Sequence, residues 1–136
     1  MELKELAKLA VDVRKNAYAP YSKFHVGAAL LTADGKVYTG VNIESASYTP
    51  TCCAERTAFA KAVSEGERNF VAIAVAGGFM DKEAEYCYPC GVCRQVMVEF
   101  CNPKTFKVIM AKTGEEFKEH LLDEILPYSF GPSDLA

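Results

Sequence analysis

Two short stretches carry most of the side chains able to do chemistry. The first is Thr51-Cys52-Cys53-Ala54-Glu55-Arg56-Thr57-Ala58 and the second is Pro89-Cys90-Gly91-Val92-Cys93-Arg94-Gln95. Five of the six cysteines (52, 53, 87, 90, 93 and 101) lie in these stretches or just before the second. In a reducing compartment, clustered cysteines point to metal binding or catalysis more than to disulfides. Zinc takes thiolates tetrahedrally; four protein ligands close a structural site, whereas three leave a catalytic site a position for water. Cys90 and Cys93 are three apart at the start of an expected helix, so both project from one turn. Cys53 opens another expected helix. Glu55, two residues further on, is near such a metal yet points elsewhere, which suits a general base better than a fourth ligand. A metal-activated water beside a carboxylate is a hydrolytic pair.

Three thiolates on one Zn²⁺ leave a net negative charge, which weakens the metal's hold on the acidity of water. Two helix N-termini would offset it by roughly 0.3–1 kcal/mol each. Arg56 is placed to donate hydrogen bonds to the sulfurs from outside the ligand shell. Other readings stay open on spacing alone. Cys-x-x-Cys is also a redox pair, or half of a closed four-cysteine site completed by Cys87 and either Cys52 or Cys53. Cys52, Cys87 and Cys101 read as free thiols packed as small apolar groups. His25 and His120 are the only histidines, are remote from the cysteines in sequence, and read as structural or solvated.

Elements to position these residues follow from the hydrophobic pattern. Leu3, Leu6, Ala7, Ala10, Val13 and Ala17 repeat at helical spacing over residues 1–17, and Pro20 ends the run. Residues 24–31 predict a strand, Asp34-Gly35 a hairpin turn and residues 36–43 the returning strand. Residues 44–51 form a polar loop. A helix over 53–65, with Ala58, Phe59, Ala62 and Val63 inward, stops at Gly66. The apolar run 70–76 predicts a strand covered on both faces, followed by a polar loop over 77–88. A third helix spans 90–101, with Val92, Val96, Met97 and Phe100 inward. A strand over 106–111, a turn at Thr113-Gly114, a last strand over 116–120 and a short helix over 121–126 complete the chain. This order predicts one domain, residues 1–136. Its class is α/β: a three-layer α/β/α sandwich on a mixed five-stranded sheet, an antiparallel hairpin followed by parallel strands. The two strand-helix-strand passages over 53–111 predict right-handed crossovers between neighbouring parallel strands. Both helix N-termini would then meet at one end of the sheet, where open α/β sheets bind ligands.

The bulk composition sets limits. A chain of 136 residues, half hydrophobic and a quarter charged, is long enough to bury a core without disulfides. The net charge of −3 and the absence of a basic tract argue against a nucleic-acid partner. No signal-type or membrane-spanning apolar run occurs, so no membrane partner and a cytoplasmic location are expected.

Cys53-Ala54-Glu55 followed by Pro89-Cys90-x-x-Cys93 resembles the signature of zinc-dependent deaminases of cytosine and adenine rings. The match widens to Ala19-Pro20-Tyr21-Ser22-Lys23-Phe24, Val26-Gly27-Ala28-Ala29-Leu30 and Gly40-Val41-Asn42-Ile43-Glu44. Across essentially the whole chain the sequence is similar to the small homotetrameric cytidine deaminases. That resemblance implies one Zn²⁺ per chain on Cys53, Cys90 and Cys93, with Glu55 as proton shuttle. It also implies that Phe24 stacks near the pyrimidine, Asn42 and Glu44 hold the ribose at its 3′-hydroxyl, and the Ala54 backbone bonds the base. Tyr48 and Phe130 would reach into a neighbouring subunit's pocket, making composite sites in a homotetramer.

The implied activity is hydrolytic deamination of cytidine and deoxycytidine to uridine and deoxyuridine, with release of ammonia, in pyrimidine salvage. Glu44 would accept a sugar hydroxyl and repel a phosphate there, so a free nucleoside fits better than a nucleotide or polynucleotide. The rivals are a deaminase of the same build acting on an aminoacyl-nucleoside antibiotic, a non-catalytic domain built on a structural zinc, and an RNA-editing module. The acidic balance speaks against the last. Departures from the family pattern are the Cys52-Cys53 pair, Cys87 three before Cys90, and Val92 where a smaller residue is common. Only Cys53 keeps the two-residue spacing to Glu55.

Overall fold

The computed structural model describes residues 1–135. Helix α1 spans Leu3–Val13 and runs into a single 3-10 turn at Arg14–Asn16. The strands are β1 (Phe24–Thr32), β2 (Val37–Val41), β3 (Phe70–Phe79), β4 (Lys107–Ala111) and β5 (Phe117–Leu121). The other helices are α2 (Ala54–Ser64), α3 (Gly91–Phe100) and α4 (Leu122–Ile125). The five strands form one mixed sheet in the order β2-β1-β3-β4-β5.

Alternation along the central strands divides the core into two layers. Ala28 and Leu30 of β1, Ile73 and Val75 of β3, and Val108 and Met110 of β4 pack with α2, α3 and Leu122. Ala29 and Leu31, Ala72, Ala74 and Ala76, and Ile109 and Ala111 face Leu6, Ala7 and Ala10 of α1 on the other side. The α1 face is rich in alanine, which lets that helix lie close to the sheet. Gly27 carries this furthest: a Cβ there would fall on the Ala10 carbonyl oxygen and lie 2.7 Å from Val13 Cγ1. The three-layer α/β/α sandwich is as expected.

The pairing corrects one expectation. β1 is inserted between β2 and β3 and runs antiparallel to both. The only neighbouring parallel pair among the described residues is β3/β4, and β5 returns antiparallel to β4. β2 and β3 still point the same way, because each opposes β1. The helices that follow them therefore open at the same end of the sheet.

Two boundaries and one helix face also differ. β3 continues through Gly77-Gly78-Phe79, expected as loop, pairing with Val26, His25 and Phe24. Glycines lower strand propensity, yet here they make room: a Cβ on Gly77 would lie 2.8 Å from the Phe24 ring and 2.9 Å from Cys87 Sγ, and one on Gly78 would lie 2.7 Å from an Arg14 guanidinium nitrogen. β2 ends at Val41, two residues early, although Ile43 keeps a bridge to Cys52. On α3 Cys93, Met97 and Val98 are buried and Val96 and Phe100 pack against the same core, while Val92, expected inward, is exposed.

Candidate active site

Cys53 and Cys90 are the N-cap residues of α2 and α3, and Cys93 lies in the first turn of α3. Because β2 and β3 deliver the two helices to one sheet end, the three cysteines meet there. Their sulfurs all lie within 4.8 Å of one another, with Cys53 and Cys90 at 4.0 Å. Tetrahedral Zn–S bonds of about 2.3 Å place sulfurs roughly 3.8 Å apart. The cluster therefore fits one zinc ion. It is the only grouping of three or more metal-ligating side chains among the described residues. Cys87 stays outside it, against Gly77 and Phe24. Cys52 is also outside, with its Sγ turned to Thr57 Oγ1 at 3.4 Å. The ambiguity of the adjacent pair thus resolves to Cys53, with three sulfurs rather than four. His25 and His120 have no place in the cluster.

The electrostatics favour thiolate. A hydrogen bond from Cys93 holds the Cys53 thiol well below its ordinary pKa, assisted by the Arg56 guanidinium. Cys93, donating that bond, moves upward. Helix N-termini add to the preference for anions at this point. Arg56 donates to Cys53 Sγ at 3.6 Å and to the Thr51 carbonyl at 3.3 Å. Its Nε is buried without a partner.

Glu55 follows Cys53 by two residues and is 4% exposed, in the first turn of α2. Burial pushes its carboxyl up to about 7, from an ordinary 4.5, with the nearby Cys53 charge adding to the rise. A carboxyl poised there can both take and return a proton near neutrality. The first intrahelical bond of α2 is Thr57 N–H to Cys53 O, so the Ala54 N–H before it is free for a ligand.

The expected sugar and base residues lie nearby. Phe24 opens β1 and packs edge-on against Phe79, ring centroids 5.2 Å apart at 88°. The Asn42 side chain is braced on β1: Nδ2 donates to the Phe24 carbonyl at 2.8 Å and Oδ1 accepts from Val26 N–H at 2.9 Å, which leaves the second Nδ2 hydrogen for a ligand. Glu44 accepts from the backbone N–H groups of Tyr21 and Ser22, at 3.0 and 3.1 Å, and from Ser22 Oγ at 2.5 Å. The Ser22 hydroxyl, then these N–H groups, hold its carboxyl below the usual range. Glu44 and Tyr48 line a groove of 450 Å³ with Tyr21, Ser22 and Thr51. Phe130 is not brought to this groove; it is 58% exposed and its carbonyl accepts from Gln95 Nε2.

Two contributors had no assigned role from sequence. Ser22 lies between Glu44 and Phe24, inside a motif already singled out. Arg94 donates to the Pro89 carbonyl at 2.7 Å and to the Ile125 carbonyl at 2.5 Å, pinning the segment that delivers Cys90 to α4. Its place directly after Cys93 was the available signal. Neither partner carbonyl can be inferred from a motif.

A family profile described as the zinc-binding region of cytidine and deoxycytidylate deaminases matches residues 1–110. A cytidine deaminase of Sporosarcina psychrophila is 46% identical over 136 residues, covering 100% of this chain and 96% of that protein. One from Halalkalibacterium halodurans is 47% identical over 135 residues, covering 99% and 98%. The crystal structure of cytidine deaminase from Burkholderia pseudomallei superposes with a TM-score of 0.86 at 43% identity, covering 96% of this chain and all of that one.

Proposed function

This chain belongs to the family of zinc-dependent cytidine and deoxycytidylate deaminases, and from that premise we propose that it hydrolyses cytidine and deoxycytidine to uridine and deoxyuridine, releasing ammonia. The observation that carries this reading is a buried carboxyl, Glu55, two residues from one of three converging cysteines. Cys53, Cys90 and Cys93 would hold the metal, which supplies a Lewis acid that makes water nucleophilic near neutral pH.

The chain's own residues do the rest. Glu55 takes a proton from the water that adds to C4 of the ring, and delivers a proton to N3. It then takes the remaining proton from the new C4 hydroxyl and passes it to the amine, so the C4–N bond breaks as the C4 carbonyl forms, and one water enters while one ammonia leaves. Burial keeps Glu55 close to balance between its two states, as a shuttle requires. Phe24 stacks against the pyrimidine and the Ala54 N–H bonds its carbonyl. Asn42 and Glu44 orient the sugar through its 3′-hydroxyl. Arg56 offsets the excess negative charge of three thiolates.

A free nucleoside is the substrate class we favour. An ionised Glu44 held by three donors accepts a hydroxyl and repels a phosphate. The whole of residues 1–136 acts as one deaminase domain. No described helix is long and apolar enough to cross a membrane, and we place the protein in the cytoplasm, in pyrimidine salvage. Tyr48 is 74% exposed, Tyr128 fully and Phe130 58%. Aromatics so placed support a homotetramer in which Tyr48 and Phe130 complete neighbouring sites.

The test is ammonia release and loss of the cytidine ultraviolet chromophore, with zinc measured on the same sample. We expect turnover of cytidine and deoxycytidine, none of cytosine, and one zinc per chain. A zinc-loaded protein inert toward both nucleosides, or one acting only on an aminoacyl-nucleoside antibiotic, overturns the reading. Light scattering of the purified protein reads the oligomer, and a monomer active at all concentrations rejects the composite site.

A further inference from the structure

One hydroxyl joins the two halves of the proposed substrate site. Ser22 Oγ donates to Glu44 Oε2 at 2.5 Å and accepts the Phe24 N–H at 3.0 Å. A serine hydroxyl has one hydrogen. With Phe24 N–H on its acceptor side, that hydrogen is committed to Glu44. The Phe24 peptide is gripped from its other end as well, where its carbonyl accepts from Asn42 Nδ2 at 2.8 Å. Between Ser22 and Phe24, Lys23 takes a left-handed backbone with φ of 62°, which non-glycine residues adopt at a cost. The turn is held there by Lys23 N–H on the Ala19 carbonyl and by Met80 N–H on the Lys23 carbonyl.

An ionised carboxylate has about four lone-pair positions. On Glu44, two on Oε1 take the N–H groups of Tyr21 and Ser22, and one on Oε2 takes Ser22 Oγ. A single position remains, on a residue that lines the 450 Å³ groove. Without Ser22 Oγ the Oε2 atom has no protein donor, and the Phe24 N–H loses its acceptor in the same step.

We propose that Ser22 is a specificity-determining positioning residue, whose hydroxyl locks the carboxylate that reads the sugar 3′-hydroxyl to the peptide that carries the base-stacking ring. Sugar and base are then read by one rigid turn. A nucleoside with a 3′-hydroxyl engages both ends of it, and one lacking that hydroxyl engages only the ring. This inference rests on the nucleoside deaminase reading.

The experiment compares zinc-loaded wild type, Ser22→Ala and Ser22→Thr on deoxycytidine and 2′,3′-dideoxycytidine, which differ only at the 3′-hydroxyl. We expect wild type to prefer deoxycytidine. In Ser22→Ala the ratio of the two kcat/KM values should fall about tenfold, the scale of one hydrogen bond to a charged group, through KM for deoxycytidine. Ser22→Thr keeps the hydroxyl and should restore the ratio. Equal slowing of both substrates by Ser22→Ala, or an unchanged ratio, overturns the proposal. So does a wild type with no preference, which leaves the deaminase reading standing. A wild type inert toward both nucleosides overturns that reading and this inference with it. Should Ser22→Ala not fold, Ser22→Cys, close in size but a weak donor, carries the same comparison.

Discussion

The Arg56 guanidinium donates to Cys53 Sγ at 3.6 Å while its own Nε stays buried without an acceptor. A buried N–H left unpaired costs roughly 1–3 kcal/mol, so the side chain is held where it is by something worth more. The neighbouring sulfur charge, with the bond to the Thr51 carbonyl, is the available cause. Arg56→Gln removes the positive charge and should weaken zinc retention about tenfold or more, the usual scale for groups supporting metal ligands. Release of zinc to a colorimetric chelator measures it. Unchanged retention together with an unchanged rate would show that Arg56 does not compensate the sulfurs.

Glu55 should separate catalysis from assembly. Its carboxyl is not among the metal-ligating cluster. Glu55→Ala should therefore keep zinc and the fold and lose about 10²-fold or more in turnover, as loss of a general acid–base does. Zinc content, a thermal melt and the cytidine assay are read on one preparation. An active Glu55→Ala protein would refute the proton-shuttle role.

Cys87 tests whether the site is open. It packs on Gly77 and Phe24 outside the three-sulfur cluster, and burial pushes its thiol up to about 11. Cys87→Ala should retain one zinc per chain, whereas Cys90→Ala should lose it. Loss of metal from Cys87→Ala would make the site a closed four-cysteine one and leave no position for water.

Gly40 sets how closely α2 approaches the sheet. A Cβ there would fall on the Ala54 carbonyl oxygen and lie 2.5 Å from Ala58 N, both backbone atoms of the helix that carries Glu55. Neither can rotate away. Gly40→Ala should cost about 1–3 kcal/mol in chemical denaturation, as overpacking does, and should lower kcat by displacing α2. A variant with wild-type stability and rate would mean that the helix moves freely on the sheet.

Cys101 gives a pH dependence. It is 8% exposed, and burial alone pushes its thiol up to about 12 from an ordinary 9.0. The folded state thus keeps a proton that the unfolded chain loses first. The stability this contributes is whole below pH 9.0 and is lost as pH rises toward 12. The limiting slope is about 1.4 kcal/mol per pH unit for one proton. Denaturation from pH 8 upward should show a shallower decline for Cys101→Ala than for wild type. Parallel curves would place the alkaline loss elsewhere.

Local chemistry was legible in the sequence to the extent that it depends on spacing. Cys53 with Glu55, and Cys90 with Cys93, are fixed relative to each other by one helical turn, so their pairing needed no tertiary information. Period and turn residues likewise placed β1, the Asp34-Gly35 turn and the three long helices to within a few residues, because burial of one face imposes that period. Tertiary structure decided what depends on contacts between distant segments. β1 inserts between β2 and β3, and a hydrophobic pattern does not specify a strand's neighbours. β3 runs on through Gly77 and Gly78 because the Phe24 ring, Cys87 and Arg14 need that space, which a glycine pair alone reads as a break. Asn42 and Glu44 were identified by motif, but that their amide and carboxylate grip the Phe24 turn is a matter of hydrogen bonds across 16 to 23 residues of chain. The choice between three and four sulfurs fell to the fold as well. Cys87 is three residues from Cys90, yet it lies in irregular chain before the α3 cap, with its sulfur against Gly77 and outside the cluster.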